Sequence, residues 1–173
     1  MNPKQEISIL INGRTAKASV PTNLSLAEFL HEKMGLTGTK VTCAMGICKA
    51  CTVAARPVGV SNYYRVQACI TPVIALNGQE LLTVEGLAQD GSLAPLQQAF
   101  LKHFSFQCGY CAPGFLMGAT LFIEQLKSQP IPEADIEVAI AESLGDHICR
   151  CTGYAKYYEA IKEVALTTPG LTF

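Results

Sequence analysis

The N-terminal half of the chain alternates apolar and polar residues in short stretches, as β-strands do. EISILINGRTAKASV alternates on both sides of Asn12-Gly13, which predicts two strands, Ile7–Ile11 and Thr15–Val20, joined by a two-residue hairpin. Further short strands are predicted at 52–55, in RVQACITPV and in ELLTVEG.

One stretch in this half has helical spacing instead. LSLAEFLHEKMG repeats its apolar residues at helical intervals, and Ser25 and Glu28 have the spacing of a capping box. Gly35 suits the end of such a helix. Residues 1–84 are therefore predicted to form a mixed β-sheet with one helix across it.

The pattern changes to helical spacing after residue 84. PLQQAFLKHF begins with Pro95, which suits the first position of a helix. APGFLMGATLFIEQLKSQ, PEADIEVAIAESLG and YAKYYEAIKEVAL follow with helical spacing. The polar, Gly-containing stretch TVEGLAQDG separates the two patterns. We predict an α+β chain in which residues 85–173 form four short helices arranged as a small bundle.

Composition changes this picture in one respect. Of 173 residues, 49% are hydrophobic and only 16% are charged, which favours some apolar surface that a partner subunit covers. The net charge of −1 predicts no nucleic-acid binding. No apolar run is long enough for a transmembrane segment, and the N-terminal sequence does not resemble a signal peptide. We expect a cytoplasmic protein, with export alongside a signal-bearing partner as the alternative.

The chain holds eight cysteines, and their spacing argues against disulfides. Cys149 and Cys151 are separated by one residue and cannot easily bridge each other, and a chain without a signal peptide is expected in a reducing compartment. The cysteines are therefore interpreted as metal ligands.

The first cysteine group has the spacing of plant-type ferredoxins. Cys43-x4-Cys48-x2-Cys51 is followed by Cys69, and C-x4-C-x2-C…C is the plant-type 2Fe–2S pattern. Small residues between the ligands allow backbone N–H groups to point at the sulfurs. A zinc site is the alternative, since C-x2-C is common there, but the x4 gap fits zinc less well.

The second group combines Cys108-x2-Cys111 with Cys149-x-Cys151. Both pairs precede predicted helices, whose N-termini offer free N–H donors and partial positive charge to thiolates. Two such helix starts could hold four sulfurs around one cluster. Iron–sulfur is favoured over zinc, more so beside the first group.

Several motifs together resemble one family. GTKVTCAMGICKACTV, TVEGLA, PLQQAF, FQCGYCAPGFLM and ICRCTGY stand in the order found in the iron–sulfur subunits of the molybdenum hydroxylases, the xanthine dehydrogenase and aldehyde oxidoreductase family. The resemblance spans nearly the whole chain. It implies an N-terminal β-grasp plant-type ferredoxin domain, residues 1–84, followed by a four-helix bundle, residues 85–173, each with one 2Fe–2S cluster.

The resemblance also implies roles for individual residues. The N-terminal cluster would be held by Cys43, Cys48, Cys51 and Cys69, and the cluster nearer molybdenum by Cys108, Cys111, Cys149 and Cys151. Gln107 and Cys151 would lie against the pterin of the molybdopterin cofactor. No substrate-binding active site is expected in this chain.

The implied function is electron transfer within a larger enzyme. Electrons would pass from the molybdopterin centre of a large partner subunit through the two clusters to an external, flavin or haem acceptor, so an FAD-binding or cytochrome subunit is a further candidate partner. Aldehydes, purines, N-heterocycles and carbon monoxide are oxidised in this family, and the large subunit makes the choice. The alternatives are a free-standing two-cluster carrier and, less favoured, a zinc-stabilised adaptor.

Some residues depart from the family pattern. Ala44 and Lys49 stand where the cysteine loop usually has glycine, and Asp146 and His147 stand where Gly-Asn is common. Ala44 is expected either to avoid positive φ or to accept strain. Lys49 places a cation near the first cluster, which should raise its potential or mark an edge for the acceptor.

Overall fold

The computed structural model describes residues 2–173, and its first half is built on a five-stranded sheet. The strands lie in the order β2-β1-β5-β3-β4. All neighbouring strands are antiparallel except β1 and β5, which run parallel. The strand bounds are β1 Lys4–Ile11, β2 Arg14–Pro21, β3 Thr52–Pro57, β4 Tyr64–Gln67 and β5 Gln79–Leu82.

The predicted hairpin and the first helix are confirmed. Asn12 and Gly13 adopt φ angles of 48° and 78°, which is the left-handed pair that a tight two-residue turn requires. The first helix, α1 (Leu26–Glu28), carries the complete capping box of Ser25 and Glu28. It continues in π-helical form over Phe29–Lys33 and lies with its apolar side in the core of the sheet.

Two of the predicted strands are shorter than the sequence indicated. RVQACITPV forms strand only as far as Gln67, and its end enters a 3₁₀ helix, Val73–Leu76. The intervening carbonyls of Ala68 and Thr71 accept hydrogen bonds from α1 rather than from a strand, and Pro72 has no N–H to donate. Similarly, ELLTVEG leaves the sheet after Leu82 and forms a 3₁₀ turn.

The second half is helical, as predicted. Helices α2 Pro95–Lys102, α3 Ala112–Ser128, α4 Ile136–Leu144 and α5 Ala155–Thr167 follow one another along the chain. Pro95 is the first residue of α2, where its missing N–H costs nothing.

Two separate clusters of buried apolar residues stabilise the two halves. One lies beneath the sheet and α1, and the other lies among α2 to α5. In the helical cluster Phe115 stacks on Tyr157, with ring centroids 4.2 Å apart. The halves meet where the start of α3 approaches β3 and the loop before it, because Gly114 has no side chain to keep that loop away.

Candidate metal centres

The first cysteine loop wraps its backbone around the thiol of Cys43. Ala44, Gly46 and Lys49 all have positive φ, at 54°, 75° and 59°, so the chain turns repeatedly over Cys43–Cys51. The N–H groups of Cys48, Met45 and Ile47 therefore point at the Cys43 sulfur and lower the pKa of that thiol to about 6. Backbone donors directed at the sulfur are what a thiolate ligand needs.

The sequence left two outcomes open for Ala44, avoidance of positive φ or backbone strain. Its φ is left-handed, so the structure shows the strained outcome. Lys49 shares it, so both non-glycine residues keep the backbone shape that glycine adopts freely.

Pairing of β3 with β4 brings the fourth thiol to the loop. Thr52 pairs with Gln67, and the N–H of Ala68 donates to the carbonyl of Cys51 at 3.1 Å. Cys69 therefore lies beside Cys51, with Cys48 close by. Burial raises the pKa of Cys51 to about 12, although the backbone N–H of Cys69 opposes that shift. A positive metal ion would offset the cost of ionising this buried thiol.

The second cysteine set joins two distant segments of the helical half. The sulfurs of Cys108 and Cys151 lie 3.8 Å apart, and Cys111 and Cys149 are neighbours that affect each other's ionisation. Burial raises the pKa of Cys111 to about 11, and its sulfur lies 3.4 Å from the hydroxyl of Tyr157.

The helix starts contribute unequally to this set. Cys111 directly precedes α3, as predicted. Cys149 and Cys151 lie in the loop before α5, separated from its first residue by Thr152, Gly153 and Tyr154. The Cys149 sulfur is supported by a side chain rather than by a helix N-terminus, because the Thr152 hydroxyl donates to it at 3.1 Å. The cysteine spacing alone did not indicate this local contact.

One pair of sulfurs in the second set has the spacing of two ligands on a single metal ion. Two thiolates on one tetrahedral metal, with bonds of about 2.3 Å, lie about 3.8 Å apart. The Cys108–Cys151 pair has that separation. Across residues 2–173, no three Cys, His, Asp or Glu side chains are arranged to hold a single metal ion.

Gln107 and Cys151, the two residues assigned to the pterin by resemblance, lie together. The Gln107 side-chain amide donates to the Cys151 carbonyl at 3.1 Å, and both residues are exposed.

The two cysteine sets are joined by a direct backbone contact. The N–H of Ile148 donates to the carbonyl of Cys48 at 3.1 Å, and Ile148 directly precedes Cys149. Each partner therefore lies within one residue of a thiol from a different set.

Ionic contacts at this junction were not found from the sequence. Arg65 Nη1 donates to both carboxylate oxygens of Asp146, each at 3.0 Å, and Lys49 Nζ lies 3.8 Å from the same carboxylate. Adjacent His147 is buried, and burial lowers its pKa to about 4. Its Nε2 lies 3.1 Å from the carbonyl of Gly114.

A sheet-based half and a helical half, each presenting four cysteines, have the donor sets of a cysteine-rich protein with two metal centres. The domain family described as "2Fe-2S iron-sulfur cluster binding domain" matches residues 9–73, and that described as "[2Fe-2S] binding domain" matches residues 83–162. The nicotine 6-hydroxylase small subunit of Paenarthrobacter nicotinovorans is 38% identical over 95% of this chain and 90% of its own length. The chain belongs to the iron–sulfur small subunits of the molybdenum hydroxylases, and is thus the iron–sulfur subunit of an oxidoreductase complex.

Solved and longer relatives agree with this membership. The crystal structure of quinoline 2-oxidoreductase from Pseudomonas putida 86 includes a chain with a TM-score of 0.80 and 33% identity, over 97% of this chain and 93% of that chain. Aldehyde oxidase 1 of Oryctolagus cuniculus is 36% identical over 97% of this chain, which spans only 13% of that protein. Within residues 2–173, no helix has the length and apolar character to span a membrane.

Proposed function

We propose that this chain relays electrons from a molybdopterin centre in a larger partner subunit to an external, flavin or haem acceptor. Two 2Fe–2S clusters would supply the one-electron carriers. The observation that carries the proposal is the Ile148–Cys48 hydrogen bond, since it links the two cysteine sets through backbone rather than solvent. The substrate would be bound by the partner.

In this proposal each half of the chain holds one cluster. The sheet half uses Cys43, Cys48, Cys51 and Cys69, and the helical half uses Cys108, Cys111, Cys149 and Cys151. The inward N–H groups around Cys43 and the 3.8 Å Cys108–Cys151 pair support these assignments. We further propose that residues 1–84 form a β-grasp domain and residues 85–173 a four-helix bundle, a division supported by the two separate cores.

The chain's own residues would exclude water from the path between the clusters and hold the two cysteine sets in position. Cys48, Cys51 and Cys149 are buried, so their sulfurs are shielded from water. Gly114 lets the start of α3 pack against Ala50, and an added Cβ there would lie 2.8 Å from the Ala50 Cα. Close packing of this kind shortens the route between the two cysteine sets.

We propose that the partner subunit docks beside Gln107 and Cys151. The pterin would contact these two exposed residues, which are already hydrogen-bonded to each other. Large apolar side chains stand exposed nearby in sequence, at Leu101, Phe104 and Tyr110, and Phe104 is 85% exposed. Exposed apolar surface beside a polar site is typical of a surface that a partner covers.

The acceptor would approach the other cluster. Met45, Ile47 and Ile70 are all more than half exposed and lie on or beside the first cysteine loop. An FAD-binding or cytochrome subunit would meet the chain on this side.

The test is metal analysis with EPR on anaerobically purified protein, together with whatever co-purifies. We expect about four irons per chain and two distinct 2Fe–2S signals after dithionite reduction, together with a co-purifying molybdopterin subunit. Zinc without an EPR signal would favour the structural adaptor and refute the redox role. Two clusters in a chain that elutes as a monomer after co-expression would favour the free-standing carrier.

A further inference from the structure

Three charged side chains from three separate segments meet at the junction of the two cysteine sets. Arg65 lies on β4, Lys49 lies inside the first cysteine loop, and Asp146 lies three residues before Cys149. The Asp146 carboxylate accepts two hydrogen bonds of 3.0 Å from Arg65 and lies 3.8 Å from Lys49. One carboxylate from the helical half thus faces two cations from the sheet half.

Arg65 also holds the end of α4. Its Nη2 donates to the carbonyl of Ser143 at 2.7 Å, in the last turn of that helix. A cation there is favoured by the helix dipole and satisfies a carbonyl that has no partner within the helix. Arg65 therefore forms hydrogen bonds both to α4 and to the loop that follows it.

Lys49 is the second cation that faces the Asp146 carboxylate. Its ammonium donates to the carbonyl of Gly46 at 2.9 Å, so the side chain folds back over its own loop. Lys49 is only 21% exposed, and the nearest carboxylate it faces across the junction is Asp146. Lys49 therefore joins the Gly46 carbonyl of its own loop to the Asp146 carboxylate of the helical half.

We propose that Asp146 is a positioning residue that fixes the loop carrying Cys149 against the loop carrying Cys48, and so sets the separation and coupling of the two clusters. The inference rests on the proposed function. The segment that Asp146 anchors includes Ile148, whose N–H bonds the Cys48 carbonyl at 3.1 Å. Dipolar coupling falls with the cube of distance and electron transfer falls more steeply, so a small loop movement would weaken both.

The chain offers a matched control for this ionic contact. Arg56 and Glu80 also form a bidentate pair, with both hydrogen bonds at 2.9 Å, but both residues lie in the sheet. Glu80→Gln removes the same kind of charge without touching the junction. Asp146→Glu keeps the carboxylate and serves as the conservative rescue.

The experiment on the purified complex measures magnetic coupling between the clusters when both are reduced, and electron exchange between them when only one electron is present. For Asp146→Asn we expect about four irons per chain, with smaller spin–spin splitting, a larger difference between the two clusters in microwave-power saturation, and slower electron exchange between them. Asp146→Glu should restore much of the coupling, and Glu80→Gln should match the native protein. Native coupling in an Asp146→Asn protein that retains both clusters would overturn the inference.

A second variant covers the case in which Asp146→Asn loses iron. Arg65→Lys keeps the positive charge but removes the planar guanidinium that donates hydrogen bonds to both Asp146 and Ser143. Weakened coupling with both clusters present supports the positioning role, and unchanged coupling overturns it. Failure of the proposed function has a different signature, because native protein lacking two 2Fe–2S signals would remove the relay itself.

Discussion

The two cysteine sets are built in different ways. Three members of the first lie within Cys43–Cys51, and backbone N–H groups of that loop surround the Cys43 sulfur. The second brings together two segments about forty residues apart, and its supporting contacts are side chains such as Thr152 and Tyr157. The first site is specified mainly by local backbone shape, whereas the second depends on how the helices pack.

This difference explains why one site was easier to interpret than the other. A loop with C-x4-C-x2-C spacing already carries most of its ligand geometry in the sequence. C-x2-C and C-x-C carry little until tertiary structure joins them, and only then does the 3.8 Å Cys108–Cys151 pair exist. The sites should therefore respond differently to ligand loss, packing changes and backbone strain.

The largest effect is expected from Cys111→Ser. Cys111 is half-buried against the core of the helices, where it contacts Tyr157, and serine would leave an oxygen in place of the thiolate. We expect loss of the cluster in the helical half, a fall from about four to about two irons per chain, and no substrate-driven reduction. Iron analysis and EPR measure the outcome.

Cys51→Ser is the matched variant in the sheet half. It should remove the other EPR signal and leave that of the helical half. A Cys111→Ser protein with both signals and native turnover would contradict the assignment of Cys111.

Gly114→Ala tests how far the second cysteine set depends on the packing of α3 against the first cysteine loop. Its Cβ would lie 2.8 Å from the Ala50 Cα, and that atom is backbone and cannot swing away. We expect a loss of about 1–3 kcal/mol in the free energy of unfolding, with weaker coupling between the clusters. Chemical denaturation followed by the visible absorption of the clusters measures it.

Gly59→Ala provides the control for this substitution. Gly59 has a φ of 85° but nothing within 4 Å of an added Cβ. It should cost about 1–2 kcal/mol of backbone strain and leave the coupling unchanged. Equal effects of the two variants on the coupling would show that packing at Gly114 is unimportant to it.

Periodicity and turn signals predicted most of the fold. The hairpin at Asn12-Gly13, the capping box of α1, and Pro95 at the start of α2 are local features, and each formed as predicted. The shortened strands near Pro72 and Leu82 were missed, because their ends depend on hydrogen bonds to α1 and on 3₁₀ turns rather than on alternation.

The junction could not be predicted from one sequence. Arg65 and Asp146 are 81 positions apart, and nothing local pairs one arginine with one aspartate across that distance. The burial of His147 was equally unpredictable, because this residue follows a charged residue in a polar stretch. Gly118 leaves room for the His147 ring, since a Cβ added at Gly118 would lie 2.6 Å from that ring. Such contacts arise only from how the halves pack.

Ala44→Gly tests whether the first loop stores strain. Ala44 holds a φ of 54°, which costs about 1–2 kcal/mol for a residue with a Cβ, and glycine would relieve it at a smaller entropic cost. We expect the free energy of unfolding to rise by about 0.5–1 kcal/mol, with cluster spectra unchanged. Lys49→Gly relieves similar strain but removes the contacts to Gly46 and Asp146, so its gain should be smaller. A larger gain for Lys49→Gly than for Ala44→Gly would contradict this reading.

A comparably small effect is expected from Glu80→Gln, away from both sites. Hydrogen bonds from Arg56 hold the pKa of Glu80 below its usual range, so its stabilising contribution is present above the unfolded-state pKa of about 4.3 and is lost as pH falls through the folded value. The variant should lose about 0.5–1 kcal/mol near pH 7. Urea denaturation should give the same difference down to about pH 5 and a smaller one only below about pH 4. A difference that vanishes already near pH 6 would mean that another group, not Glu80, controls it, and the pair would then be a poor control for Asp146.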